Sequence, residues 1–184
     1  MDDILKKIKE KILKKEDITH ECVEGLSKAC KTGNLELLKT ILGFKKFDYL
    51  NDFLEEAIWE GHTAVVKYLL DCSENKTIIN ANHERMLRYA ILRKHNHITK
   101  ILIDAGANPF YKHGCILQLG AQMGDCNTMR VLIDSYYRHT YFDISRSMLT
   151  EARCIAERMG FVDMAEYIRT SAIRIFETRR IKWM

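Results

Sequence analysis

The chain has 184 residues, 47% hydrophobic and 29% charged, with a single proline and a net charge of +4. It is long enough to bury a full core and too apolar for a disordered chain, while no stretch reaches 18 uncharged apolar residues, which excludes a helical membrane span. The charge sits at the ends: residues 1–20 carry six Lys against five acids (+1), residues 169–184 carry five Lys or Arg against one Glu (+4), and 18 basic against 19 acidic residues lie between.

At the N-terminus, Ile4, Leu5, Ile8, Ile12 and Leu13 recur at helical spacing and make one apolar stripe on a lysine-rich helix. The spacing predicts a capping helix over residues 1–20, with a membrane-surface or partner helix as the sharper alternative. Lys6, Lys7, Lys9, Lys11, Lys14 and Lys15 break any signal-peptide core, so an intracellular, cytoplasmic protein is expected. Six scattered cysteines without a Cys-x-x-Cys pair agree with that, and read as reduced, packed thiols.

Next comes Leu26, Ala29 and Gly33, followed by the apolar run Leu35, Leu37, Leu38, Ile41 and Leu42. A cleaner version follows, with Leu54, Ala57, Ile58 and Gly61, then Val65, Val66, Leu69 and Leu70. Thirty-three residues further on, Leu87, Ala90 and Ile91 precede Ile98, Ile101, Leu102 and Ile103. Each reads as a helix, a tight turn and a second helix with an apolar face. The same ruler finds Leu117, Gly120 and Gly124 before Met129, Val131, Leu132 and Ile133, and then Ala156 and Gly160 before Val162, Met164, Ala165, Tyr167 and Ile168. Anchors at 29, 57, 90, 120 and 156 make five units, residues 21–168.

The 33-residue period of helical hairpins, with Ala57-x-x-x-Gly61-His62-x-x-Val65-Val66-Lys67-x-Leu69-Leu70 and Leu102-Ile103-Asp104-Ala105-Gly106-Ala107-Asn108, resembles the ankyrin-repeat family. The resemblance implies an all-α solenoid of stacked helix-turn-helix units with short or missing β-hairpin fingers. Usage of Lys, Ile and Asn, with loosely kept repeats, is similar in style to ankyrin proteins of large DNA viruses or intracellular parasites, which would place the chain in host cytoplasm or a virion. Of the tetrad Thr-Pro-Leu-His that the family places in each first helix, only the leucine is kept, at Leu26, Leu54, Leu87 and Leu117, and Arg153 stands in the fifth unit. Loss of that hydrogen-bond network predicts a less regular stack. Lys94 stands where the third turn glycine belongs, at about 1 kcal/mol if the turn is left-handed.

Insertions map to loops. The 28-residue step leaves little room for a finger around Gly43 to Asn51, and the 36-residue step inserts Ser135 to Asp143, with Tyr136, Tyr137, Tyr141 and Phe142 where a polar turn is usual. After Ile168 no Gly or Pro stops the last helix, which predicts a basic helical extension over 169–184 with Ala172, Ile175, Phe176 and Arg179 on one face.

No catalytic or metal constellation is present: His95 and His97 point to different sides of a helix, and His113 with Cys115 lacks two further ligands. No cofactor and no small-molecule substrate are expected. In the family resembled, partners are held on the concave face, at the exposed end of each first helix before its turn. Counting there gives Lys31 and Thr32, then Trp59 and Glu60, Leu92 and Arg93, Gln122 and Met123, and Arg158 and Met159. Trp59 is the expected anchor, with Arg93 and Arg158 supplying charge-assisted bonds, while Leu92, Met123 and Met159 have core positions as their alternative. The leading expectation is therefore a non-catalytic adaptor for a protein partner. Its rival is a structural subunit of a larger assembly, packing through the end helices and the aromatic insertion. Arg179, Arg180 and Trp183 in the tail form a secondary contact, too few in charge for more than weak, salt-sensitive nucleic-acid binding.

Overall fold

The computed structural model describes residues 2–47, 50–72, 76–139 and 143–182. Among them run eleven helices and no strand. They are α1 (Asp2–Leu13), α2 (Thr19–Thr32), α3 (Leu35–Phe44), α4 (Asn51–Glu60), α5 (Thr63–Cys72) and α6 (Lys76–Leu92), then α7 (Asn96–Asp104), α8 (Tyr111–Met123), α9 (Cys126–Arg138), α10 (Arg146–Arg158) and α11 (Val162–Lys182). The chain forms two compact units, Met1–Lys76 and Thr77–Met184.

In the first unit, α2 and α3 form one hairpin and α4 and α5 the next. Gly33 and Gly61 close α2 and α4 in the left-handed region (φ 69° and 85°), where a Cβ would crowd the preceding carbonyl. The N–H groups of Gly61 and His62 both reach the Ala57 carbonyl at 3.0 Å, so the chain reverses within two residues. Asn34 then caps α3 by accepting from the Leu37 N–H at 2.9 Å. First helix packs on first helix, α2 on α4, and α3 meets α5 behind them. Leu26, Ala29, Leu38 and Ile41 are buried in one hairpin, and Leu54, Ala57, Ile58, Val65, Val66 and Leu69 in the other. Leu35, Leu42 and Leu70 remain half-buried at the margin.

α1 packs on α2 through Ile4 and Ile8. Gly25 makes the approach possible, since a Cβ there would stand 3.1 Å from Ile4 Cγ2 and 2.5 Å from Ile41 Cδ1. The expected stripe is only half used: Ile12 and Leu13 are exposed, and Lys11 instead meets α2 in an ion pair with Glu21 at 2.7 Å. The helix also ends earlier than the 1–20 reading, because Lys15 turns left-handed at φ 58°.

The second unit repeats the plan: α8 packs on α10, and α7, α9 and α11 lie side by side in that order. Its turn positions Lys94, Gly124 and Gly160 have φ of 58°, 68° and 78°. All five turns read from the sequence are thus left-handed, and Lys94 bears the strain of a side chain there. Lys94→Gly is expected to raise stability by about 1 kcal/mol, or roughly 2–4 °C in melting temperature. A melt unchanged or lowered would show that the lysine is not strained.

Two sequence expectations are corrected in this unit, and one irregularity is new. Val162 is 74% exposed, so the fifth apolar face begins at Met164, while Ile101 and Val131 are half-buried. Ser135, Tyr136 and Tyr137 belong to the last turn of α9, with Ser135 buried, so the insertion opens as helix and not as loop. α8 is regular only after Gly114, because Lys112, His113 and Gly114 are all left-handed. Gly114 suits this position, with φ at 74° and a Cβ that would lie 3.1 Å from the Met148 side chain on α10.

Other polar contacts replace the missing tetrad network between neighbours. Among first helices, Ser27 donates to Glu56 (3.1 Å), the Cys115 thiol to Glu84 (2.9 Å) and Gln118 to Glu151 (2.7 Å). Behind them, Arg138 donates to Asp104 (2.5 Å) and Tyr167 to Asp134 (3.2 Å).

Candidate protein-binding surface

The left-handed turns determine what each first helix presents. With Ala57 and Ile58 buried in the stack, the last two residues of α4 swing outward, leaving Trp59 40% exposed and Glu60 exposed. On the preceding turn Lys31 and Thr32 are exposed as well. The His62 imidazole holds the two turns together: its Nε2 is 2.9 Å from the Lys31 carbonyl, and its ring covers Gly33, where a Cβ would stand 2.5 Å from Nδ1.

In the second unit three turns are joined in the same way. Phe161, directly after the fifth turn, lies over Gly124 so closely that a Cβ would sit 2.4 Å from its ring. Asp125, directly after the fourth turn, reaches back to the third: Asn96 Nδ2 donates to its Oδ2 at 2.9 Å. Thr128 donates both to that oxygen, at 2.7 Å, and to Asn96 Oδ1, while the Asn127 N–H caps on Asp125 Oδ1 at 3.0 Å. Burial opposes ionisation of Asp125, but the hydrogen bonds from Thr128, Asn96 and the backbone outweigh it and hold the carboxyl below its ordinary range.

This framework sets Leu92 and Arg93, Gln122 and Met123, and Arg158 and Met159 on neighbouring turns of one unit. Leu92 is 39% exposed and Met159 54%, Met123 is half-buried, and Arg93, Gln122 and Arg158 are exposed. Trp59 and Glu60 belong to the other unit. Of the secondary residues, Tyr136 is half-buried and meets the exposed Tyr137 edge to face, ring centroids 5.4 Å apart. Tyr141, Phe142 and Trp183, and the side chains of Arg179 and Arg180, lie outside the described residues.

Sequence reasoning missed the residues that lock the turns, His62, Asp125 and Phe161. Their signal was position: each directly follows a left-handed residue.

The described residues hold no cluster of three His, Cys, Asp or Glu able to take a metal. The six cysteines are free, two of them buried. Burial pushes the Cys30 thiol up to about 12, and burial together with Glu84 raises Cys115 to about 11, so both are protonated at neutral pH and poor nucleophiles. No helix among the described residues is long and apolar enough to cross a membrane.

Helical hairpins joined by left-handed turns and packed first helix on first helix define a helical-repeat protein. Residues 54–143 match a family model of ankyrin repeats, three copies in length. Residues 54–143 are therefore ankyrin repeats, and the fold class is an all-α solenoid. The matched region takes in most of α4 and all of α5 to α8 and α9, leaving the α2–α3 and α10–α11 hairpins outside it. No curated protein matches the chain. Ankyrin-repeat proteins are typically non-enzymatic modules that bind other proteins.

Proposed function

We propose that this chain is a non-catalytic adaptor that holds a partner protein on the turn-proximal ends of its first helices. The observation that carries this reading is the row in the second unit, where three interlocked turns each present a polar residue beside an apolar one that is exposed or half-buried. Buried side chains could not serve, and a purely polar edge would lack the apolar contacts that dominate interfaces. Leu92 and Met159 supply apolar area, with Arg93 and Arg158 beside them for carboxylates. Trp59 and Glu60 make the corresponding pair in the first unit. We further take α2–α3 and α10–α11 as the outer repeats of the array over 21–168, α1 as its cap, and 169–184 as a helical extension.

Affinity purification with the full chain from its native cell tests the reading. A partner retained by the wild type is expected to be lost from the Arg93→Glu, Arg158→Glu double variant, since charge reversal places like charges opposite its carboxylates. An unchanged set of partners would overturn it.

A further inference from the structure

A second surface lies on α10 and α11, away from the turns. Met148 and Glu151 of α10 face α8, where they meet Gly114 and Gln118. About half a turn round the same helix, Arg146, Leu149 and Arg153 recur at helical spacing and line an open groove of ≈ 540 Å³ whose other wall is α11. Leu149 is buried at its floor, and Ile173, on the α11 wall, is 45% exposed. From Arg169 to Glu177 that wall is about 12 Å long at 1.5 Å per residue, the length of two helical turns.

The lining carries three guanidinium groups, of Arg146, Arg153 and Arg169, and the carboxylate of Glu177, while Glu157 and Glu166 pair with Arg153 and Arg169 from beside the groove. Each guanidinium is already oriented. Arg146 lies over the Phe176 ring at 5.0 Å, Arg153 donates through Nη1 to Glu157 at 2.7 Å, and Arg169 donates through Nε and Nη2 to Glu166 at 2.8 and 2.7 Å. Arginine has five N–H donors in a fixed fork, so these contacts aim the groups without exhausting them.

We propose that this groove docks an acidic amphipathic helix of a partner protein, two turns of it engaged. Its apolar face lies on Ile173 and the half-buried Ala172 and Phe176, above Leu149, while its carboxylates meet Arg146, Arg153 and Arg169. The site is separate from the turn-proximal surface and does not depend on it.

The test uses the full chain and two labelled peptides of about 18 residues, both with leucines at i, i+3, i+4 and i+7, one otherwise glutamate-rich and the other lysine-rich. Fluorescence anisotropy is expected to show binding of the acidic peptide alone, weakening as salt rises. Ile173→Asp is expected to weaken it at least about tenfold with an unchanged melt, since the side chain is half exposed, whereas Trp59→Ala leaves it unaltered. Failure of the acidic peptide to bind, equal binding of the lysine peptide, or indifference to Ile173→Asp would each overturn the proposal. So would a concentration-dependent dimer that Ile173→Asp abolishes, since a second copy would then fill the groove.

Discussion

Asp125→Ala is expected to destabilise the protein by about 3 kcal/mol, lowering its melting temperature by roughly 6–12 °C. One carboxylate performs two tasks. It caps α9 through the Asn127 N–H, a contribution of about 1 kcal/mol, and it accepts from Asn96 Nδ2 and Thr128 Oγ1, at a cost of about 1–3 kcal/mol that falls chiefly on Asn96 Nδ2, since Thr128 keeps Asn96 Oδ1 as an acceptor. Asn96 is half-buried, so water replaces its lost acceptor only in part. The carboxyl is held below its ordinary value in the fold, so its stabilisation is complete above the unfolded value of about 4 and disappears as pH falls through the lower folded value. Melts at pH 7 should therefore separate wild type from variant, and the gap should narrow progressively as pH falls below about 4. Asp125→Asn, which retains an N-cap oxygen, should lose less. A shift under 2 °C for the alanine variant at pH 7 would show that the cluster does not hold the turns.

The turns were legible because their cause is local. A left-handed residue four places after a small buried one is a steric requirement of reversing a helix tightly, and that requirement left glycine at four of the five positions. Lys94 could be placed only by the ruler, since its residue type opposes its conformation. The bonds between repeats were not legible for the opposite reason. Ser27 with Glu56, Cys115 with Glu84 and Gln118 with Glu151 join residues 29, 31 and 33 apart, each with a Glu acceptor but with no donor type in common. Each pair depends on the register of two stacked helices. Lys112 and His113 were equally silent, because nothing in their identity asks for a positive φ.

Site residues followed the same division. Counting back from a turn located the exposed ends of α4, α6, α8 and α10, since helix geometry fixes which residues leave the stack. The count could not distinguish Met159, 54% exposed, from half-buried Met123, because that depends on the neighbouring turn. The α10–α11 groove was missed because Arg153 reads only as a stand-in for the tetrad leucine and Arg146 is given no role. Only the pairing of α10 with an overlong α11 gives that face an apolar floor. The half-used stripe of α1 shows the converse: helical spacing marks residues able to be buried, and the partner helix decides how many are.

Trp59→Ala is expected to weaken partner binding by about 2 kcal/mol or more, roughly 30-fold in Kd, the largest single effect at the turn-proximal surface. The backbone beneath the indole is fixed, since Gly61 closes α4 and bonds to Ala57 and Ile58. Forty per cent of the residue is open to solvent, and the remainder is covered by the protein, which restricts the positions open to the ring. An anchor oriented in advance loses little further conformational entropy on binding, so most of its apolar burial appears as affinity. Trp59→Phe should recover part of the loss, because a smaller ring at the same position keeps part of the area. Truncation also removes whatever the covered part of the ring contributes to the fold, so melts should accompany titrations of the partner obtained by purification. Loss of affinity with a melting shift of only a few degrees is the expected result. Less than a threefold change in Kd would remove Trp59 as the anchor and leave the row from Leu92 to Met159 as the binding surface.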